Sequence, residues 1–371
     1  MSLTRSATVD VSVALDLAGT EPDVFDVGRS TVAVGAAAVV IIGDAADDPA
    51  AGGVWNDQEF RLRGLTPAVA ASRLTGRESF AGSEPDLDRP VHLFVRVDGL
   101  AVYIGPVRHS RSTWTNGELN SCHLRIDPPL SRELLDTVRP PTAAPLSPGL
   151  DWLGSVRTDP GRALESFVSG WYPAQPETRP TDVAIPGSVP YALADFYRLA
   201  EKRPAILGGQ NFIQPLTRLS TDIRGERLVV ATENQGCWDW SIPWQLDAAS
   251  TDPDVWLTED DAPAREEEPL SRFLLQFSLY EASMTAPYQA FLRNLREQLL
   301  SELEACLHRV PLRPFLAPIG PTNFLVGPGL VAHISPELNS SNESDVWIGA
   351  LHRSALRPLS RLQLPWRRFD G

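Results

Sequence analysis

Apolar and polar positions alternate along several stretches of the first third of the chain. Thr31–Gly43 (TVAVGAAAVVIIG) is rich in β-branched residues and predicts one or two strands. Pro90–Val97 (PVHLFVRV) and Leu100–Ile104 flank Asp98-Gly99, a dipeptide that accepts the positive φ angles of a tight hairpin turn. A further strand is expected at Asn120–Ile126, then Pro128-Pro129 and a short helix, Ser131–Val138. Thr66 and Pro67 suit the cap and first position of another short helix reaching Thr75. Asp44–Gly53 and Gly82–Arg89 read as polar connections. Arg139–Gly149 (RPPTAAPLSPG) holds four prolines in eleven residues, which suits neither a sheet interior nor a helix. It is the expected boundary between a β-rich N-terminal domain, 1–138, and a second domain, 150–371.

In the second part the period lengthens. Helices are expected at Arg162–Ser169 and at Val189–Ala200 (VPYALADFYRLA), the latter with Ser188 as cap and Pro190 in its first turn. Leu193, Phe196, Tyr197 and Ala200 form its apolar flank, and Tyr191, Ala194, Asp195 and Arg198 the other. Two strands follow, Arg227–Thr232 and Cys237–Ile242, joined by Glu233–Gly236. Thr258–Glu268 reads as an acidic, solvated linker ending at Pro269, which opens a helix to about Ala282. Phe291, Leu295, Leu299, Leu303 and Cys306 fall on one stripe and predict a longer helix, Pro287–His308. Strands near Thr322–Leu325, Leu330–Ile334 and Asp345–Ala350 close the chain, so the fold class is α+β.

Composition narrows the function classes. A chain of 371 residues with 43% hydrophobic and 22% charged residues can bury a substantial core. The longest apolar candidate, Val32–Ile42, is far shorter than a bilayer span, and the N-terminus alternates instead of presenting a continuous apolar stretch. The expectation is a cytoplasmic protein without a membrane partner. A net charge of −14 argues against nucleic-acid binding by the molecule as a whole and is compatible with a basic protein partner. Cys122, Cys237 and Cys306 are widely separated, predicting reduced, buried thiols.

No chemistry-bearing motif emerges. The six histidines show no metal-ligand spacing, and neither GxSxG, GxxxxGK[ST] nor GxGxxG occurs. Gly327-Pro328-Gly329 reads as a tight turn, since proline removes an amide donor that a phosphate loop needs. Cys237, between Gly236 and Trp238, is expected to fill a small core pocket. No catalytic residue, metal or cofactor is therefore assigned, and an enzyme is not expected.

The order of the helix Pro190–Ala200, the segment GQNFIQPLTRL (Gly209–Leu219) and LVVATENQGCWDW (Leu228–Trp240) resembles the SUKH superfamily. That group includes a yeast cell-wall regulator domain and many bacterial toxin-immunity proteins. Phe196 and Tyr197 match the aromatic helix; Glu233, Asn234, Gln235, Gly236, Trp238 and Trp240 match the hairpin phrase. The likeness spans roughly Ala184 to Tyr280. It implies a twisted antiparallel sheet with packed helices, used to bind proteins without catalysis. In immunity members the partner is commonly a nuclease or deaminase toxin, inhibited by occlusion.

Two sets of contact residues follow. For a protein partner they are Trp244 and Trp256, beside loop prolines and aspartates, with the acidic Glu259, Asp260, Asp261, Glu266 and Glu267. The other reading is a defence or regulatory protein whose N-terminal domain touches nucleic acid. LFVRVDGLAVYIGPV resembles small β domains found beside restriction and helicase modules, and Arg96, Arg108, His109, Arg111 and Trp114 make that region basic with one aromatic. Ordinary solvated arginines on a hairpin explain the same residues. Five arginines within Arg353–Arg368 either contact phosphates or pair with the acidic segment.

Overall fold

The structure, a computed structural model, describes residues 3–46, 53–76, 89–175, 189–244, 252–259, 262–317, 320–337 and 340–371. Helices and strands are mixed in an α+β protein of two compact units, Met1–Ala143 and Ala144–Gly371. The division falls inside the proline-rich segment. Ser188, most of Gly82–Arg89 and part of Asp44–Gly53 lie outside the described residues.

The first unit is built on one curled sheet. Its strands are β1 (Thr8–Asp10), β2 (Asp23–Val27), β3 (Ser30–Val34), β4 (Val39–Asp44), β5 (Gly53–Trp55), β6 (Glu59–Thr66), β7 (Val91–Val97), β8 (Leu100–Thr115) and β9 (Glu118–Ile126). They run in the order β2-β3-β4-β7-β8-β9-β6-β5, with β1 beside β8, and β4–β7 is a parallel pair. Both turns flanking β8 are Xaa-Gly pairs at positive φ: Asp98-Gly99 (48° and 83°) and Asn116-Gly117 (53° and 82°). That backbone matches the strand twist and so fixes the register on either side. The sheet curls until Gly64 meets Gly28; a Cβ at Gly64 would stand 2.6 Å from the Gly28 amide nitrogen. Inside the curl, Trp55, Phe60, Leu62, Leu93, Leu124 and Ile126 pack with helices α2 (Ala68–Thr75) and α3 (Arg132–Val138). Thr66 ends β6 instead of capping α2, whose preceding residue is Pro67; Ser131 does cap α3. A short helix, Val11–Asp16, lays Ala14 against Phe94 and Tyr103 on the outer face of the same sheet.

In the second unit, helices α4 (Pro160–Trp171), α5 (Tyr191–Lys202) and α6 (Leu270–Thr285) pack on an antiparallel sheet. That sheet comprises β10 (Asn211–Ile213), β11 (Ser220–Thr221), β12 (Arg227–Glu233), β13 (Trp238–Pro243), β14 (Asp254–Glu259) and β15 (Ala262–Pro269). Helix α6 is buried around most of its circumference, Gln276, Ser278, Glu281 and Ser283 included, because a second sheet covers its other side. This sheet contains β16 (Tyr288–Arg296), β17 (His308–Arg309), β18 (Phe315–Ala317), β19 (Gly320–Gly327), β20 (Leu330–Glu337), β21 (Ser340–Ala350) and β22 (Arg368–Phe369). Phe273, Phe277, Phe315, Phe324 and Trp240 meet in the shared core.

Three sequence expectations are corrected. Pro287–His308 is not one helix but β16 followed by α7 (Glu297–Glu304). Tyr288, Ala290 and Leu292 alternate inward, and β16 lies between β21 and β22, so tertiary pairing overrides the helical stripe. Thr258–Glu268 is not a linker; it belongs to the β14–β15 hairpin, with Asp260 and Asp261 outside the described residues. Ala194 is buried with the apolar flank of α5. Among the described residues no helix is long and apolar enough to cross a membrane.

Candidate functional site

The β12–β13 hairpin carries the ENQGCWDW phrase, and its residues serve structure first. The Gly236 amide closes the turn on the Glu233 carbonyl at 2.9 Å, and Gly236 sits at φ 72°; Asn234 does not take positive φ. The buried Glu233 carboxylate accepts from the Gln235 and Cys237 amides at 2.7 and 3.3 Å, capping the turn from within. Trp240 is fully buried, whereas Trp238 is half-buried against the same core. Phe196 and Tyr197 are buried on α5, and the Tyr197 hydroxyl donates to the Gln214 carbonyl. Asn234, Gln235 and Cys237 are exposed. Cys237 and Cys306 therefore do not fill core pockets; only Cys122 is buried, and burial raises its thiol pKa to about 12.

The acidic segment divides between core and surface. Glu266, expected at a partner surface, is buried: its oxygens accept from Trp240 Nε1 and the Leu316 amide, each at 2.9 Å. Desolvation nonetheless raises its pKa to about 7. Glu268 is buried between Arg157 and Arg272, at 2.8 and 2.6 Å, and accepts from the Arg313 amide. These groups answer Glu266 and Glu268, while Arg368, of the 353–368 arginines, bonds the buried Asp370 at 2.8 Å. Glu259 and Glu267 are exposed. Burial on alternate positions follows from the hairpin: with β15 in the sheet, every second side chain turns to the core.

Among the described residues, the helices cover one face of this sheet. On the opposite side Phe212, Val229, Thr232, Asp239, Trp256 and Thr258 are at least partly exposed, whereas Ser241, in register between Val229 and Trp256, is buried. The Arg227 guanidinium lies 4.4 Å above the Trp256 ring, and Trp244 extends from the end of β13 with 37% of its surface exposed. Phe212 carried no strand signal in the sequence, because β10 has only three residues, and Arg227 opens an expected strand whose neighbours only the sheet register supplies.

The expected basic set of the first unit is not brought together as predicted. Arg96 bonds Asp44 and Thr31 at the turn end of β7, and it stands opposite β8 on the order of 30 Å along the strand from Arg111. Trp114 pairs with Leu119 and packs partly against the inner core. Arg108, His109 and Arg111 are exposed on β8. Arg108 and His109, with Arg73, Arg89, Arg125 and Asp127, line a cleft of about 760 Å³. Across β9 and β6 the structure adds Arg61, Arg63, His123 and Arg125. The alternation Glu59-Phe60-Arg61-Leu62-Arg63 was the available sign of that strand.

Among the described residues, no convergent catalytic set opens to solvent. Ser283 Oγ lies 2.7 Å from His333 Nδ1, yet both side chains are sealed in the core, and burial drives the imidazole pKa down to about 3. Among the described residues no three His, Cys, Asp or Glu side chains group as a metal site. Comparison of the chain with family models, curated proteins and solved structures found no match.

Proposed function

We propose that the chain is a non-catalytic protein-binding protein: an immunity protein with a SUKH-type second unit that neutralises a cognate toxin by occlusion. The carrying observation is the face of the β10–β15 sheet opposite the helices. Phe212 and Trp256 present partly exposed aromatic surface there, the kind of side chain that dominates interface energetics. Asp239 stands on the same side, Glu259 and Glu267 are exposed, and Asp254 is paired with Arg265 at 2.7 Å; the exposed acids suit a basic nuclease or deaminase domain. Glu266 takes no part in the contact because it is buried.

Co-expression of the full chain with a toxin-like protein encoded by the neighbouring gene tests this reading. Growth is restored and the two proteins co-purify. Trp256→Ala weakens the complex by roughly thirtyfold, the range of a hot-spot residue, while circular dichroism remains native. Unchanged affinity in both Trp256→Ala and Phe212→Ala would remove this face from the interface.

A further inference from the structure

Three rows of side chains cross the outer face of β8, β9 and β6 in the first unit. They are Arg108–Arg125–Glu59, Arg111–His123–Arg61 and Thr113–Ser121–Arg63. The opposite face carries Phe60, Leu62, Cys122 and Leu124 into the core, so the rows point away from it. Arg108 and Arg125 stand directly opposite each other, an arrangement that destabilises a sheet. The Arg61 pKa is lowered, first by burial and then by the fields of Arg63 and Arg111, against the pull of Glu59. Glu59 is the single carboxylate in these rows, and its oxygen is held 2.7 Å from His123 Nδ1. Among the described residues no ion pair involves Arg61, Arg108, Arg111 or Arg125. In a chain of net charge −14, this is a local excess of cations assembled at a cost in stability.

We infer that this sheet face binds the phosphate backbone of double-stranded nucleic acid without reading its sequence. The rows contain guanidinium groups, which match phosphate oxygens in paired hydrogen bonds. They contain no Phe, Tyr or Trp, and their one imidazole, His123, is buried, whereas single-strand binders rely on stacking for much of their affinity. A purely electrostatic surface gains most from the higher charge density of a duplex. The Arg108 and Arg125 end continues into the cleft that Arg73 and Arg89 also line. The inference is independent of the toxin-binding reading, whose residues belong to the other unit.

Fluorescence anisotropy of the full chain with labelled 20-base-pair DNA and RNA duplexes, in 50 mM salt, tests it. Binding is expected with a dissociation constant on the order of 10⁻⁵ M, falling as salt rises. The double variant R108Q/R125Q should lower the log–log salt slope by about two, one for each lost phosphate contact. Its melting temperature should stay level or rise, since the facing charges repel, and toxin protection should be unaffected. Arg198→Gln, on the second unit, should leave duplex binding unchanged. Absence of duplex binding would overturn the inference. So would tighter binding of the single strand, equal competition by polyglutamate, or a salt slope insensitive to R108Q/R125Q.

Discussion

Trp240 and Glu266 form the most consequential side-chain pair in the second unit. The indole fills the core among Phe273, Phe277 and Phe315, and its N–H answers a carboxylate that burial would otherwise leave poorly solvated. Trp240→Phe keeps most of the apolar volume and deletes the donor. Its expected cost is about 1–3 kcal/mol, the penalty of an unsatisfied buried acceptor, measured by urea unfolding. The pair also predicts a pH effect. With its pKa raised to about 7, Glu266 keeps its proton in the folded state between about pH 4.5 and 7, where the unfolded chain has lost it. The folded state binds more protons in that window, so this residue's contribution to stability falls as pH rises through it. His333 acts oppositely: buried and neutral down to about pH 3, it favours the unfolded state as pH falls below about 6.5. Glu266→Gln therefore removes one of the slopes that oppose that of His333. Its stability should rise more steeply from pH 4.5 to 6.5 than that of the parent, and parallel curves would contradict the assignment.

At the scale of elements, a single carboxylate ties the Gly209–Asn211 segment to helix α6. Glu281 accepts from the Gly209, Gln210 and Asn211 amides at 2.7–2.8 Å and from the Asn211 side chain at 2.9 Å. Desolvation raises its pKa and these donors pull it back, desolvation being the larger influence. Glu281→Ala leaves several buried donors without an acceptor, and a loss of at least about 2 kcal/mol is expected. Amide exchange should accelerate at Gly209–Asn211 and along β10 before the rest of the sheet. The hairpins of the first unit offer a second element-scale prediction. Gly117→Ala must hold alanine at φ near 82°, with no neighbour within 4 Å of the new methyl group, so backbone strain alone is tested. A loss of about 1–2 kcal/mol is expected on thermal unfolding.

For the molecule as a whole, each unit has its own apolar core: Trp55, Phe60 and Leu124 in one, Trp240, Phe273 and Phe315 in the other. Limited proteolysis within 139–149 should therefore release two fragments that both retain native circular dichroism. Loss of structure in either would show that its core needs the other unit. Charge has the same two-level character. The net −14 describes the chain, yet a cationic face forms where β6, β8 and β9 align arginines that lie far apart in sequence.

Much of this architecture was already present in local pattern. Period-two alternation marked β7, β8 and β20; proline and serine positions marked α3, α5 and α6; the prolines of 139–149 marked the division. These signals are short-range, set by side-chain spacing and backbone preference. Three features depended on tertiary structure. Residues 288–296 satisfy both a helical stripe and a strand alternation, and only β21 and β22 select the strand. Glu266 and Glu268 look like solvated acids until Trp240, Leu316 and Arg157 converge on them from distant positions, with Arg272 joining from four residues on. The arginine rows exist only through cross-strand register. The sequence by itself determined many of the strands and helices, through side-chain spacing and backbone preference. Which buried charges are answered, and which surface charges gather on one face, was decided by long-range pairing, because electrostatics depends on distances that local pattern does not encode.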